Sequence, residues 1–422
     1  MHFPFKNKLY TLLRWSEQYA KTDMIHFFSS NVWINVSRFI SVGTGMVLTV
    51  AFANLLSPEV FGTYKYVIAS AGFIASFSLN GLSMALMRAV AQGKKHVVPA
   101  IVRTSILWSL PASLASLGVS IYYFGNHNSE LGFAFLFIAL VNSISNGIGT
   151  TKGIFQATSE FRLATLSGIP RILVPFFIIL ITILLTQNVV LILLAYFTSS
   201  VITSWIYYRW TLKRLDIHGS QEDVADTVRY GKQMSILGFF QLVGGQIDLL
   251  LLWHFATPAT LAIYALALSP VNEARNLLSN FFSIAFPKIA AKDEQEVRKA
   301  VPLRFKQLLV VSVIVTALYI ALVPFLFTYL FPKYQAAVVV SQVFALTLLL
   351  QPRGIFELVI TLHGKVNRRF RAILISQAFK LVFLFSLIPF FGLWGAVWAT
   401  VLSEVGTAVA FYAVYRITRH RL

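Results

Sequence analysis

A helix that crosses the hydrocarbon core of a bilayer needs about 20 mostly apolar residues. Stretches of that length follow one another along almost the whole chain, separated by short polar breaks. The pattern predicts about twelve membrane-spanning helices. Numbered in chain order as spans, they are 31–55, 65–89, 100–124, 131–151, 169–187, 189–208, 233–254, 259–286, 307–330, 336–361, 372–391 and 394–415.

Composition places the chain in the all-α, polytopic membrane class. Apolar residues make up 57% of the 422 residues and charged residues only 12%, and a soluble domain could not solvate so much apolar surface. The chain has no cysteine, which excludes disulfides and thiolate metal sites. It also lacks a phosphate-binding GxxxxGK[ST] loop and paired histidine ligands, so no cofactor is expected.

The net charge of +19 is distributed very unevenly. The gaps that follow odd-numbered spans hold a single cation, Lys333, whereas the gaps after even-numbered spans and both termini are rich in Lys and Arg. This asymmetry predicts that both termini lie in the cytoplasm. The charge thus reflects orientation and attraction to anionic lipids, and nucleic acid is not an expected partner.

The predicted spans divide the chain into five parts. An interfacial amphipathic segment, 1–30, precedes an N-terminal six-helix lobe, 31–208. A cytoplasmic linker, 209–232, leads to a C-terminal six-helix lobe, 233–416, and a short tail, 417–422. A mobile basic tail is an alternative for the first segment, whose helical pattern covers 5–21.

An internal repeat supports the two lobes. Ser57-Pro58 is followed by Tyr64, and 200 residues later Thr257-Pro258 is followed by Tyr264 at the same spacing. Both copies fall at the predicted outer turn of a helical hairpin. Because each lobe has an even number of spans, the copies enter the membrane from the same side, as in transporters built from parallel repeats.

A second match keeps the same order and topology at an offset of 209 residues. Phe161-Arg162 precedes Arg171 as Phe370-Arg371 precedes Lys380. Both copies lie at the predicted inner start of a span, the fifth and the eleventh. The two matches together predict a duplication.

Ionisable residues inside the membrane are energetically expensive and mark candidate functional sites. The candidates are Arg38, Arg88, Asp248, Glu273, Arg275, Arg353, Glu357, Lys380 and Glu404. Arg38 and Arg88 lie near the inner ends of spans 1 and 2, so each either snorkels to the headgroups or faces the lumen.

Two pairs of opposite charge are suggested by spacing. Arg353 and Glu357 lie four residues apart on span 10, directly after Pro352, which predicts a kink or hinge. Lys380 and Glu404 lie at equal distances from the turn between spans 11 and 12, hence at similar depth. Each pair either neutralises itself structurally or opens to a ligand or a proton.

The remaining charges suggest transport chemistry. Asp248 and Glu273 are candidates for proton or cation coupling, because a low-dielectric site raises the proton affinity of a carboxylate. Glu357 and Glu404 join them as coupling candidates. Arg275 points nearly opposite to Glu273 on span 8. The excess of cations suits an anionic substrate, since guanidinium groups match phosphate oxygens.

Several segments resemble the Wzx-type polysaccharide repeat-unit flippases. The first is Phe52-Ala-Asn-Leu-Leu-Ser-Pro-Glu-Val-Phe-Gly-Thr-Tyr64, continuing to Gly81-Leu-Ser-Met-Ala-Leu-Met-Arg88. The others are Gln246-Ile-Asp248 with the leucines after it, Ile263-Tyr264-Ala265-Leu-Ala267 and Phe286-Pro287-Lys288. That family belongs to the multidrug/oligosaccharidyl-lipid/polysaccharide exporter superfamily, whose fold has two six-helix lobes around a central cavity.

The resemblance implies a location in the cytoplasmic (inner) membrane of a bacterium. There it implies alternating-access translocation of an undecaprenyl-diphosphate-linked oligosaccharide from the inner to the outer leaflet, as in O-antigen or other surface polysaccharide synthesis. It matches Arg88 and Asp248 to family positions. Arg38, Arg275, Arg353 and Lys380 are further expected contacts for the diphosphate or acidic sugars. A polysaccharide polymerase and a chain-length regulator are expected partners. The alternatives are a multidrug or small-solute antiporter of the superfamily, and a membrane polysaccharide polymerase or ligase.

Overall fold

The computed structural model describes residues 24–217, 219–220, 222–283, 294–363 and 366–419. Over these residues all regular structure is helical, which confirms the predicted all-α class. The amphipathic pattern at 5–21 and the Phe286-Pro287-Lys288 segment lie outside the described residues.

The helices of the first half of the chain are α1 Met24–Leu55, α2 Pro58–Ala75, α3 Leu82–Ala91, α4 Val98–Trp108, α5 Leu110–Gly125, α6 Ser129–Gly149, α7 Ile154–Ala157, α8 Phe161–Leu185 and α9 Val189–Arg214. Those of the second half are α10 Val224–Gly244, α11 Ile247–Phe255, α12 Pro258–Ser283, α13 Glu294–Leu330, α14 Ala337–Ala345, α15 Gly354–His363 and α16 Val366–Arg419. Segments of 3₁₀ helix lie at Lys95–Val97, Thr150–Gly153, Pro332–Tyr334 and Leu346–Arg353.

Each predicted span coincides with one or two of these helices. By length and apolar character, eight helical stretches of the described residues can cross a membrane, or nine if the bent pair Val224–Ile236 and Gly238–Phe255 forms one span. One of the eight, within α16, covers both span 11 and span 12. Gly392 divides it with a φ of 51°, a left-handed conformation that glycine adopts without steric cost, at the turn predicted between those spans. The total of twelve spans stays a prediction.

The predicted linker, 209–232, is largely helical. Helix α9 continues to Arg214, and α10 already begins at Val224. Hydropathy ends span 6 before the end of α9 and begins span 7 after the start of α10, because polar turns at a helix end lower the local hydropathy without interrupting the backbone hydrogen bonds. The linker itself stays a prediction.

Large apolar side chains cover the outside of the helical assembly. Leu185 and Phe390 are each 81% exposed, and similar residues recur on α5, α8, α13 and α16. Exposed apolar area on this scale requires an apolar solvent, because monomeric soluble proteins expose only small apolar patches. The buried core in turn combines residues of both halves, such as Phe61 and Tyr264.

At the predicted outer side, α2 packs tightly against the start of α12. A Cβ atom built on Gly62 would lie 1.8 Å from the Pro258 carbonyl oxygen, so only glycine permits this approach. Nearby, the Asn54 amide donates to the Leu330 carbonyl oxygen at 2.8 Å. The rings of Tyr66 and Trp253 stack with their centroids 4.1 Å apart. These contacts join the two halves of the chain at one end.

A second set of contacts joins the halves at the predicted inner side. The Gly81 amide donates to the Ser235 hydroxyl at 2.9 Å, and the Lys94 ammonium donates to the Asp223 carboxylate at 2.7 Å. The hydrogen bond from Lys94 lowers the pKa of Asp223 below its ordinary value. A lowered carboxyl pKa keeps this contact charged throughout the physiological range and releases it only as the pH falls through that lowered pKa.

The close approach at Gly62 predicts a steric effect of Gly62→Ala. The added methyl group forces α2 and α12 apart, although alanine stabilises an exposed helix interior by about 1 kcal/mol relative to glycine. We expect a lower unfolding temperature in detergent. A single cysteine introduced at Ala262, one turn beyond Pro258 and fully buried, should react faster with a maleimide in this variant.

Gly43→Ala is the matched control, because among the described residues no atom beyond the adjacent backbone of its own helix lies within 4 Å of the added Cβ. It should leave the unfolding temperature unchanged or raise it. Equal maleimide rates at Ala262→Cys with and without Gly62→Ala would contradict the proposed tight contact.

Candidate functional site

A polar cavity of about 390 Å³ lies within the second half of the chain. Its walls come from α10, α11, α12, the 3₁₀ segment, α15 and α16. Six of its lining residues are ionisable: Asp248, Arg275, Arg353, Glu357, Lys380 and Glu404. The structure thus brings together six of the nine predicted intramembrane charges, from five of the predicted spans, 7, 8, 10, 11 and 12.

Predicted span 7 is interrupted beside this cavity. Helix α10 ends at Gly244 and α11 begins at Ile247, so carbonyl groups at the end of α10 lose their intrahelical partners. The Lys380 ammonium donates a hydrogen bond to the Gly244 carbonyl oxygen. A cation at a helix C-terminus is also stabilised by the helix dipole.

The same ammonium forms an ion pair with Asp248, with Nζ 3.9 Å from Oδ2. The Asp248 carboxylate is buried and also accepts a hydrogen bond from the Tyr264 hydroxyl at 2.8 Å. Its second oxygen accepts the Leu249 amide at 3.0 Å. A buried carboxylate needs such partners to offset its desolvation. The partner of Lys380 is therefore Asp248, and the predicted pairing with Glu404 is wrong.

Glu404 instead lies between two arginines. Its Oε1 is 3.3 Å from Arg275 Nη1, and its Oε2 contacts Arg353 Nη1. Arg275 also donates to the Thr347 hydroxyl at 3.0 Å, and its Nε is buried without a hydrogen-bond partner. Arg353 donates further to the Glu404 main-chain carbonyl oxygen at 3.1 Å. Two guanidinium groups thus share one carboxylate.

The predicted Arg353–Glu357 ion pair is wrong as well. Glu357 contacts Arg369, with 3.5 Å between Oε1 and Nη2, and both side chains of this pair are more than two-fifths exposed. The reason is local helix geometry. Arg353 ends a 3₁₀ segment and Glu357 lies in the α-helix that follows, so the four-residue spacing of a continuous α-helix does not apply.

Pro352, the predicted hinge, lies in that 3₁₀ segment, Leu346–Arg353. Runs of 3₁₀ helix longer than three or four residues are uncommon, and within a helix they often mark hinges. The segment separates α14 from α15 and presents Thr347 and Arg353 to the carboxylate network. The predicted break in span 10 is therefore present, while its motion stays a prediction.

The other three predicted residues do not line the cavity. Arg88 lies with its guanidinium carbon 4.4 Å from the ring centroid of Tyr230, a contact between α3 and α10. Arg38 lies on α1 in the first half of the chain, half-buried. Glu273 is half-buried on α12, two residues from Arg275, which does line the cavity. This agrees with the expectation that Glu273 and Arg275 point to opposite sides.

Hydropathy and charge do not identify the neutral residues of the network. The Tyr264 hydroxyl lies 2.8 Å from Asp248 and 3.0 Å from the Thr400 hydroxyl, and Thr347 binds Arg275. The sequence does contain a signal for Tyr264 and for Thr400. Tyr264 belongs to the internal repeat, and Thr400 lies one helical turn before Glu404, hence on the same face.

The charges of the cavity wall balance, with three cations and three carboxylates among its lining residues. The predicted cationic excess is therefore absent from the lining of this cavity. Its cations are held by internal carboxylates, and a ligand must displace or neutralise a carboxylate to reach them. A volume of about 390 Å³ also lies at the low end of the range for small-molecule sites.

The chain matches the model of a family described as "Polysaccharide biosynthesis protein" over residues 29–292. No curated protein matches the chain significantly. Solved structures of three transporters share its fold. An outward-facing multidrug resistance MATE family transporter of the MOP superfamily is 16% identical with a TM-score of 0.63, covering 93% of this chain and 95% of that one.

The lipid II flippase MurJ, in an inward closed conformation, is 12% identical with a TM-score of 0.63, covering 90% of this chain and 86% of that one. A MOP superfamily transporter from Pyrococcus furiosus, described for the reverse polarity of its binding pocket, is 16% identical with a TM-score of 0.55, covering 93% and 95%. These similarities confirm the exporter-superfamily fold.

The pairing of Asp248 with Lys380 predicts a specific double-variant result. Asp248→Asn and Lys380→Met each leave a buried charge without its partner, so each should destabilise the protein by about 3–5 kcal/mol. The double variant removes both charges and should be more stable than the sum of the two losses predicts. Unfolding temperatures of the purified chain in detergent rank the three variants.

The exposed Glu357–Arg369 pair supplies the control. Glu357→Gln and Arg369→Gln should each change stability by less than about 1 kcal/mol. Strictly additive losses for Asp248→Asn and Lys380→Met would show that the two side chains are not coupled, contrary to the geometry.

Proposed function

The chain belongs to the polysaccharide biosynthesis protein family, and on that premise we propose that it is a flippase. Its substrate is an undecaprenyl-diphosphate-linked oligosaccharide repeat unit, which it moves from the inner to the outer leaflet of a bacterial cytoplasmic membrane. The product feeds synthesis of a surface polysaccharide such as O-antigen. The chain catalyses no covalent reaction in this scheme.

The observation that carries this proposal is the arginine–carboxylate network inside the membrane. Glu404 contacts both Arg275 and Arg353, and the planar fork of a guanidinium group matches a phosphate group. A diphosphate that enters the cavity can take the place of Glu404 as the partner of either guanidinium. The network thus lets the site stay neutral when it is empty and bind an anion when a carboxylate gives way.

In this scheme, ion binding and substrate binding are coupled because the substrate and a carboxylate compete for the same cations. Protonation of Glu404 or Asp248 frees a cation next to it, so proton or cation binding and substrate binding affect each other's free energy. Asp248, Glu404 and Glu357 are the coupling candidates that line the cavity, and Glu273 is the candidate outside it. The identity of the ion is left open by this scheme.

Alternating access requires contacts between the halves that form and break. The Gly62–Pro258 contact closes the predicted outer side, and the Lys94–Asp223 ion pair bridges the predicted inner side. In our scheme the halves rock so that the outer and the inner contacts open in turn, while the lipid tail of the substrate stays in the bilayer. Arg38 and Arg88 meet the substrate at the inner entrance, and anionic lipids surround the basic loops.

A gene deletion tests the proposal against its alternatives. In the deletion strain we expect lipid-linked repeat units to accumulate on the inner leaflet and surface polysaccharide to be lost. Normal surface polysaccharide together with altered drug sensitivity would contradict the proposal and favour a multidrug antiporter. Repeat units that reach the outer leaflet but stay unpolymerised would favour a polymerase or ligase.

The network predicts the outcome of complementation with Glu404→Gln. The neutral amide cannot hold two guanidinium groups, so the arginines lose their shared partner and export should fall at least about tenfold, as expected for a loss near 1.4 kcal/mol in the transport barrier. Surface polysaccharide, normalised to the amount of the protein in the membrane, measures this.

Arg304→Gln is the control, because Arg304 is exposed, donates a hydrogen bond to the neighbouring Gln307 and does not line the cavity. It should complement like the wild type. Full complementation by Glu404→Gln at normal abundance in the membrane would show that transport does not require the network.

A further inference from the structure

Predicted span 7 is broken where the matching span of the first half is continuous. At the 200-residue offset of the internal repeat, Gly244 corresponds to Thr44 and Asp248 to Leu48. Both Thr44 and Leu48 lie within α1, a single uninterrupted helix. The repeated architecture therefore does not itself require the break between α10 and α11, and the break coincides with the appearance of a carboxylate.

Oxygen atoms of the backbone and of a side chain converge on this break. The carbonyl groups just before Gly244 still accept backbone amides across the break, whereas the Gly244 carbonyl oxygen accepts the Lys380 ammonium. The Asp248 carboxylate lies one turn further along the chain, and its Oδ2 is 3.9 Å from the same ammonium. The end of a helix carries partial negative charge, so the carbonyl and the carboxylate together form a strongly negative position.

A third oxygen at the break lacks a donor among the described residues. Oε1 of Gln377, one turn before Lys380 on α16, is buried without a hydrogen-bond partner. It lies against the backbone of Gly244, because a Cβ atom built on that glycine would be 1.9 Å from it. A buried acceptor without a partner costs free energy, which a cation or a donor at the break would recover.

The three oxygens are of the type that bind a small inorganic cation. In transporters, carbonyl groups of broken spans and the C-terminal ends of half-helices coordinate sodium. Carbonyl and carboxylate oxygens are hard ligands, which hard cations prefer. Gly244, Asp248 and Gln377 all line the polar cavity, which has room for water to complete a coordination shell. The break thus has the features of a cation site, and a cation of the protein lies in it.

We propose that the Lys380 ammonium takes the place of a sodium ion at the break of span 7. The ligands of the site are the Gly244 carbonyl, the Asp248 carboxylate and the Gln377 amide oxygen. An ammonium group is a compact point charge on a flexible stem, so it fits a position suited to a monovalent ion. The Lys380 side chain is 20% exposed and that of Asp248 only 6%. In the wild-type chain the site is closed to sodium, and substitution of Lys380 opens it.

The consequence for coupling rests on the proposed function. A cation that is covalently attached to α16 cannot dissociate into either compartment, so a sodium gradient cannot act on transport through this site. A proton can still exchange at the Asp248 carboxylate. Coupling through Asp248 is therefore restricted to a proton, whereas the flippase scheme alone leaves the ion open.

Thermal unfolding of the purified full chain in a neutral detergent tests the site without any substrate. The wild type should unfold at the same temperature in sodium chloride and in choline chloride of equal concentration. Lys380→Ala should unfold several degrees higher in saturating sodium chloride than in choline chloride, because an ion that binds only the folded state stabilises it. In a scintillation proximity assay, this variant should also bind several-fold more radioactive sodium than the wild type.

Two further variants control for the loss of a charge. The double variant Asp248→Asn with Lys380→Ala lacks the carboxylate ligand and should unfold at the same temperature in both salts. Arg369→Ala is the matched single control, because it frees the Glu357 carboxylate at an exposed ion pair, where water solvates it. It should likewise show no difference between sodium and choline.

Two results would overturn the proposal directly. Sodium that binds or stabilises the wild type would do so, because the site would then be open with Lys380 in place. Equal unfolding temperatures of Lys380→Ala in the two salts would do so as well. A Lys380→Ala chain that elutes as a folded species in sodium chloride alone would support the site, and one that aggregates in both salts would contradict it.

The site and the flippase fail separately. Sodium binding by Lys380→Ala alone, together with normal surface polysaccharide in the deletion strain, would keep the site and contradict the flippase. Sodium binding by the wild type, together with accumulation of lipid-linked units in the deletion strain, would contradict the site and keep the flippase.

Discussion

The ammonium of Lys380 lies where the helix of predicted span 7 is interrupted, and it contacts both the Gly244 carbonyl oxygen and the Asp248 carboxylate. Lipid cannot satisfy the carbonyl groups at such a break, so a protein group or water in the cavity must do so. In many transporters a bound cation meets unwound carbonyl groups of this kind. Here the cation is the ammonium of Lys380, which belongs to α16. The interruption of span 7, the ion pair with Asp248 and the position of α16 therefore depend on one another.

The same constraint organises the rest of the second half. Every charged side chain that lines the cavity has an oppositely charged neighbour, and Tyr264, Thr347 and Thr400 satisfy part of the remaining hydrogen-bonding capacity. Breaking any buried pair leaves an uncompensated charge, at a cost of several kcal/mol. Such a network is stable when complete. It also responds strongly to a proton or an anion that changes one member.

Each sequence pattern predicts only the property that it measures. Hydropathy reports burial in lipid, so the spans and the turn at Gly392 were predictable. The depth of Lys380 and Glu404 was also predictable, and both line one cavity. Their partners were not, because an ion pair depends on how each helix is rotated toward its neighbours. The 3₁₀ segment that redirects Arg353 to Glu404 likewise arises from tertiary packing, although Pro352 signalled a break nearby.

The repeat carries information that neither hydropathy nor the cavity provides. It relates Arg171 to Lys380 and shows that Leu48 and Ala195 stand where the second half has Asp248 and Glu404. At the positions that the repeat relates, the two halves of the chain therefore differ in charge.

Reconstitution tests the central claim most directly. The purified chain is placed in vesicles that contain a prenyl-diphosphate-linked oligosaccharide with a fluorescent label on the glycan, and dithionite is added outside to quench the accessible label. The flippase account predicts that the label protected on the inner leaflet becomes quenched in vesicles with the wild-type chain. A protected pool as large as that in protein-free vesicles would contradict the account.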